Sequence, residues 1–274
     1  MRRRASRADR MPLHVQLLPT SRGDRSQTQS LTTFLINGTI ALDAGSLGFA
    51  LPAEHLARVG HVILTHSHLD HIASLPIAIA EAFPRLTSPV RVYATDGVLQ
   101  AVRDHLLNGV IWPDFARINL PDSGRPAVDY VTIRPHQPFE IDGIRFTPIP
   151  VHHGVPTIGL IAHAPEATVA FTSDTCSTDE IWAAASRHDN LRAVFVDCSF
   201  PDELEQLAIR SGHLTPKLVA AEAAKLTRRA SIFCVHIKPD SREKVLAQLI
   251  PHRLRGIIPL EIGKTYEFDG TSNR

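Results

Sequence analysis

Thr65-His66-Ser67-His68-Leu69-Asp70-His71 places four metal-capable side chains within six residues. The apolar run His61-Val62-Ile63-Leu64 comes before it and reads as a buried strand. Ile72-Ala73-Ser74-Leu75-Pro76-Ile77-Ala78-Ile79-Ala80 follows and reads as an apolar helix. The cluster therefore sits on a strand-to-helix turn at a carboxyl end, where open α/β sheets place their chemistry. His66 and His68 are two apart and can reach one ion from an extended backbone. Asp70 and His71 open the helix on another side and can reach a second. Imidazole with carboxylate suits Zn²⁺, Mn²⁺ or Fe²⁺.

This stretch resembles the HxHxDH signature of the metallo-β-lactamase superfamily. The resemblance implies an α/β fold, an αββα sandwich of two mixed β-sheets flanked by helices, with a one- or two-metal hydrolytic site at one edge. Further ligands then have to appear in order. Val151-His152-His153-Gly154 ends a strand with two histidines; His153, just before the glycine, matches the family position and His152 is the reserve. Thr168-Val169-Ala170-Phe171-Thr172-Ser173-Asp174 is an apolar strand ending in a carboxylate, which can bridge two cations. Ser231-Ile232-Phe233-Cys234-Val235-His236 ends the same way in histidine. The expected set is His66, His68 and His153 on one ion, Asp70, His71 and His236 on the other, with Asp174 between them. Asp43, before Ala44-Gly45, is expected to orient a ligand from behind.

The 274 residues, 43% hydrophobic, are enough for one sizeable α/β domain. Lys plus Arg number 29 against 28 Asp plus Glu, so no general attraction to nucleic acid or an anionic membrane follows. An odd set of three cysteines argues against a disulfide framework and for a reducing, cytoplasmic setting. Cys176, close to Asp174, reads as a small buried residue. The basic segment 1–10 reads as a disordered tail before a domain spanning 11–274, and Met11 as an alternative start. No apolar stretch is long enough for a signal peptide or a membrane span.

Along the chain, Asn37-Gly38 is a two-residue hairpin signal. Strands are expected near 13–18, 31–36, 39–43, 90–94, 130–133, 144–148, 193–200, 256–260 and 265–268. Pro148 and Pro150 mark an edge or strand end. Helices are expected after Thr95, Asp179, Pro201 and Thr215 and over 240–250.

Five segments resemble class II 3′,5′-cyclic-nucleotide phosphodiesterases of this superfamily: His66–His71, Ile111-Trp112-Pro113-Asp114, Asp197-Cys198-Ser199-Phe200-Pro201, Gly212-His213-Leu214-Thr215-Pro216 and His236-Ile237-Lys238-Pro239. The family usually carries Glu where Asp197 stands; Asp197 is placed behind the ligands. The resemblance implies a small cyclic-nucleotide substrate, cAMP or cGMP, opened to the 5′-monophosphate. Two divalent ions, zinc first, would activate a bridging hydroxide. Trp112 and Phe115 are expected to form a lid on the base. His213 is the general-acid candidate and Asp70 the catalytic carboxylate. A homodimer is compatible with this reading. Transfer-RNA 3′-processing endonucleases share these ligands but carry an arm between the third histidine and the bridging aspartate, and the 21 positions from His153 to Asp174 leave no room for one. Lactonase or thioesterase chemistry uses the same ligands.

Overall fold

A computed structural model describes residues 12–270; the basic tail 1–10 and Met11 lie outside the described residues. One set of strands comprises β1 (Leu13–Leu17), β2 (Phe34–Ile36), β3 (Ile40–Leu42), β4 (His61–Ile63), β5 (Val90–Ala94) and β6 (Val128–Thr132). The other comprises β7 (Phe139–Ile141), β8 (Ile144–Val151), β9 (Thr157–His163), β10 (Thr168–Phe171), β11 (Leu191–Asp197), β12 (Ser231–Val235) and β13 (Ile257–Pro259). The last strand, β14 (Thr265–Phe268), returns to the first sheet. The orders are β14-β1-β2-β3-β4-β5-β6 and β13-β12-β11-β10-β9-β8-β7. Within them β3 to β6 run parallel, as do β10 to β13.

The sheets pack face to face. Leu13, Val15, Phe34, Ile36, Phe146, Leu160, Phe171, Phe195 and Phe233 share the interior between them. On β11 the neighbours of Phe195, Val194 and Val196, belong to the opposite face, against helices. That burial on both faces is why β10 to β12 read as unbroken apolar runs rather than alternating ones. It also explains why β9 carries no strand signature of its own: its six residues from Thr157 to Ala162 are all buried. Short β7 likewise escapes the sequence pattern.

Helices α1 (Leu47–Ala50), α2 (Ala53–Leu56), α3 (Leu69–Ile72), α4 (Leu75–Ala82) and α5 (Asp96–His105) belong to the first half. Leu47, Leu56, Leu75, Ile79 and Leu99 cover the outer face of the first sheet. In the second half lie α6 (Glu180–Ser186), α7 (Glu205–Ser211), α8 (Pro216–Ala223) and α9 (Arg242–Leu249). Trp182, Val219, Val245 and Leu249 cover the second sheet. The result is an αββα sandwich. No helix among the described residues is long and apolar enough to cross a membrane.

Local chemistry sets the turns. Asn37 and Gly38 take φ of +49° and +75°, the pair of left-handed residues that a tight hairpin needs. The helix expected over 72–80 is instead two helices. Ser74 breaks it, its Oγ donating to the Ala44 carbonyl at 2.8 Å, so that α3 tips Asp70 and His71 inward. Pro148 and Pro150 lie inside β8, beyond Phe146, where β7 no longer pairs with it.

Candidate metal centre

Every candidate ligand lies on the same rim of the sandwich. His66 and His68 follow β4, Asp70 and His71 lie in α3, and His153, Asp174 and His236 follow β8, β10 and β12. Four overlapping donor groups form there among the described residues; two hold all the expected ligands, His66, His68 and His153, and Asp70, His71, Asp174 and His236, and the other two include His213, with His153 and Asp174 or with Asp197 and His236. One atom, Asp174 Oδ2, lies between the first two, 3.9 Å from His66 Nε2, 3.8 Å from His153 Nε2, 3.4 Å from His71 Nε2 and 3.5 Å from His236 Nε2.

Hydrogen bonds behind the rings decide which nitrogens face inward. His71 Nδ1–H donates to Asp43 Oδ2 at 2.7 Å, and His153 Nδ1–H to the Gly212 carbonyl at 2.9 Å. His66 Nδ1 is 2.9 Å from Thr65 Oγ1, and His236 Nδ1 is 2.9 Å from Ser199 Oγ. Each ring thus spends its proton outward and turns Nε2 toward the others. His66 Nε2 and His71 Nε2 are buried without a hydrogen-bond partner among the described residues. His153 Nε2 and His68 Nδ1 face one another at 3.0 Å. Converging lone pairs and carboxylate oxygens with so few donors fit a cation, and imidazole with carboxylate is a donor set for zinc, manganese or iron.

The charge states agree. Burial and the neighbouring His71 push the His66 imidazole down to about 2, and burial lowers His68 and His153. Burial also opposes charge on His71, but Asp174 and Asp43 outweigh it and hold its pKa well above the ordinary value. Burial raises Asp174, yet His236 and His71 dominate and hold it well below the carboxylate range. Asp70 is lowered too, burial being outweighed by the neighbouring His236 and His71.

Asp43 accepts the Thr65 N–H at 2.8 Å as well as His71, which ties both ends of the metal-capable turn to the end of β3. It does so at φ +62°; Ser173 and His236 are also left-handed, at +57° and +61°. Such conformations persist where surrounding bonds over-determine them. A Cβ at Gly45 would collide with the Asp70 carbonyl, so only glycine lets β3 pass this turn.

His213 stands beside the expected ligands, with its ring centroid 4.9 Å from that of His153 and 5.4 Å from that of His236. Its Nδ1–H donates to Asp197 Oδ2 at 2.7 Å. Burial lowers its pKa, but the Asp197 carboxylate more than compensates and raises it. Asp197 therefore serves His213; its other oxygen takes the Ser199 hydroxyl at 2.6 Å.

The family model for the beta-lactamase superfamily domain matches residues 32–237, a span that holds Asp43 and every candidate ligand. The chain belongs to the metallo-β-lactamase superfamily. Among similar proteins, the probable 3′,5′-cyclic-nucleotide phosphodiesterase of Yersinia pestis is 24% identical over 302 residues, 87% of this chain and 85% of that one. Unliganded yeast PDE1 superposes with a TM-score of 0.75 at 17% identity, covering 94% of this chain and 99% of that one. The Zn²⁺-bound PqqB of Methylobacterium extorquens gives 0.67 at 19%, covering 92% and 99%. The two superpositions show the fold.

In this superfamily hydrolase the remaining expectations separate. His152 is exposed and turns away, its Nδ1 2.8 Å from the Ser177 carbonyl. The thiol of Cys176 is free and half-buried, outside the donor groups. Trp112 and Phe115, expected as a lid, pack in the helix-covered core. Because β5 and β6 are parallel, α5 carries the chain from their carboxyl ends to their amino ends. Thr132 Oγ1 donates to Asp96 at the site end; the Val128 N–H bonds the Phe115 carbonyl at the other. Phe115 is buried against Phe83 and Trp112 packs on the same helix-covered core. Sequence reasoning assigned no role to Thr65, Ser199 or Lys238. Thr65 and Ser199 work through hydrogen bonds to ligands, and Lys238 Nζ lies 3.6 Å from Asp70 Oδ2. Thr65 lies next to a candidate ligand, and Ser199 and Lys238 lie within segments that resemble the phosphodiesterase family.

Proposed function

We propose that this hydrolase opens 3′,5′-cyclic nucleotides to 5′-monophosphates with two divalent metal ions, zinc being the first choice. The observation that carries the reading is the His213–Asp197 pair beside a double donor set. A ribose alkoxide is a poor leaving group and needs a proton, and a carboxylate-held imidazole on the rim is placed to give one. The likeness to the probable cyclic-nucleotide phosphodiesterase along most of both chains supports the same reading.

His66, His68 and His153 would hold one ion, Asp70, His71 and His236 the other, and Asp174 both. When bound, the ions would add Lewis-acid charge for the phosphoryl oxygens and acidify water. The chain's own groups do the rest. Lys238 adds positive charge at the rim, where an anionic phosphodiester would arrive. As the water oxygen, having released one proton to solvent, bonds to phosphorus and the P–O3′ bond breaks, His213 in its doubly protonated form gives its Nε2 proton to O3′, while Asp197 accepts from Nδ1–H and keeps the ring oriented. Phe200, half-buried with its ring centroid 5.8 Å from that of His213, takes over the base-facing role assigned to Trp112. The stretch between His153 and Asp174 is filled by β9 and β10, joined through the Ala164–Ala167 turn, which leaves no RNA-binding arm there.

Zinc- or manganese-loaded protein should turn over cyclic AMP faster than a lactone or pre-tRNA; turnover of either of those with none of cyclic AMP refutes the reading. His213→Gln should lower kcat for cyclic AMP by about 10²–10⁴-fold at unchanged metal content. The loss should be smaller for bis-p-nitrophenyl phosphate, whose leaving group departs without a proton. Equal losses on both substrates remove His213 from the acid role.

A further inference from the structure

The loop between β1 and β2 reaches two ligands of one donor group, His236 and Asp70, from behind. Gln29 is 7% exposed, and its Oε1 accepts the backbone N–H of His236 at 2.7 Å. Its Nε2 donates to Thr32 Oγ1 at 3.0 Å. The backbone N–H of Thr32 donates to the Asp70 carbonyl at 2.8 Å, and the Thr32 carbonyl accepts from Gly45 at 2.9 Å. A chain of hydrogen bonds thus runs from His236 through Gln29 and Thr32 to Asp70. The loop is pinned at its other end, where the Gln27 amide exchanges two bonds with Ile262, both at 2.9 Å, and Arg242 Nε donates to the Gln27 carbonyl at 2.7 Å.

We propose that Gln29 and Thr32 form a positioning strap that sets Asp70 and His236 relative to one another, and so governs the affinity of the second ion alone. The proposal rests on the two-ion reading above. His236 needs such support because it sits at φ +61°, a left-handed conformation that non-glycine residues disfavour. Its backbone N–H is held by Gln29, and its ring Nδ1 lies 2.9 Å from Ser199 Oγ, whose own proton goes to Asp197. Without Gln29 that N–H would be buried and unpaired, and the backbone would be free to relax and swing the imidazole off Asp70, from which Nε2 is now 3.2 Å. The other group has separate anchors, Thr65 for His66 and Gly212 for His153, which the strap does not touch. Gln29 contacts neither substrate nor ion; it acts through His236.

The test is cobalt(II) titration of the metal-free protein, followed by visible absorption and calorimetry, with thermal unfolding of the metal-free form alongside. Wild type should take up two ions. Gln29→Met keeps the side-chain volume and removes the acceptor; it should keep the first ion at wild-type affinity and lose about 10–100-fold for the second. Thr32→Val, which frees the Gln29 amide but leaves the backbone bond to Asp70, should weaken the same ion by less. Gln29→Glu retains an acceptor and should restore two-ion binding. Two ions at wild-type affinities in Gln29→Met overturn the proposal, as does parallel loss of both ions with a destabilised metal-free protein. A wild type that binds a single ion refutes the two-ion reading itself and the strap with it.

Discussion

Replacing Asp43 by asparagine asks whether one buried carboxylate decides which nitrogen of His71 is free. Asp43 accepts from His71 Nδ1 at 2.7 Å and from the Thr65 N–H at 2.8 Å. Asparagine is nearly isosteric and, like aspartate, tolerates the left-handed φ of +62° at this position, so the backbone has no reason to move. Its amide oxygen can keep the Thr65 N–H, which leaves the NH₂ facing His71 Nδ1–H. Two donors then meet, and the ring escapes by moving its proton to Nε2, the atom that must be a lone pair to bind metal. Two magnitudes follow. Losing the outer partner of a metal-binding imidazole costs about 10–100-fold in affinity, readable by competition with a chelator. Losing a hydrogen bond to a charged group costs about 1.5–3 kcal/mol, readable by denaturant unfolding of the metal-free protein. The pH dependence has a definite sign. Because the carboxylates raise the pKa of His71 above 6.5, its protonated form stabilises the fold fully below that value, and this stabilisation is lost as pH rises through the folded-state value. The difference between wild type and Asp43→Asn should therefore be largest below the ordinary imidazole pKa of 6.5 and narrow as pH rises through the higher folded-state value. Other histidines cancel in the difference. A gap that is constant with pH, or zinc affinity equal to wild type, refutes the reasoning.

Asp70→Ala should leave one ion bound, remove most phosphodiesterase activity and preserve the fold; full activity after chelation would defeat the metal reading altogether. An anomalous-scattering map should place metal at His153 and none at His152, and His152→Ala should be kinetically silent; metal bound to His152 reverses the assignment. Trp112→Ala should leave the kinetics with cyclic AMP unchanged while costing about 2 kcal/mol of stability, since a half-buried indole is lost from the helix-covered core. A raised KM for cyclic AMP in that variant would bring the loop back to the substrate.

Much of the rim was legible because it is locally encoded. The turn from His66 to His71 declares itself by four donors between a buried strand and an apolar helix, and the Asn37-Gly38 hairpin by residues that accept positive φ. Strand ends carrying His153, Asp174 and His236 stand out because apolar runs stop at a polar residue. Periodicity and a few neighbouring bonds produce these signals, so they survive in one dimension. Trp112 shows where that fails. Its motif was readable, but its position followed from the parallel pairing of β5 with β6, which obliges the connecting segment to return to the amino ends of the strands. Gln29 is the opposite case: a single residue in an unremarked polar loop, bonded to a backbone 207 positions away. Which ring nitrogen faces the cluster of donors, that Asp197 serves His213, and that a loop between two strands braces His236 all depend on loops meeting at one rim. Sequence alone determined the identity and order of the donors. Their orientation comes from the tertiary structure, because a hydrogen bond depends on distance and angle between groups that the chain itself leaves far apart.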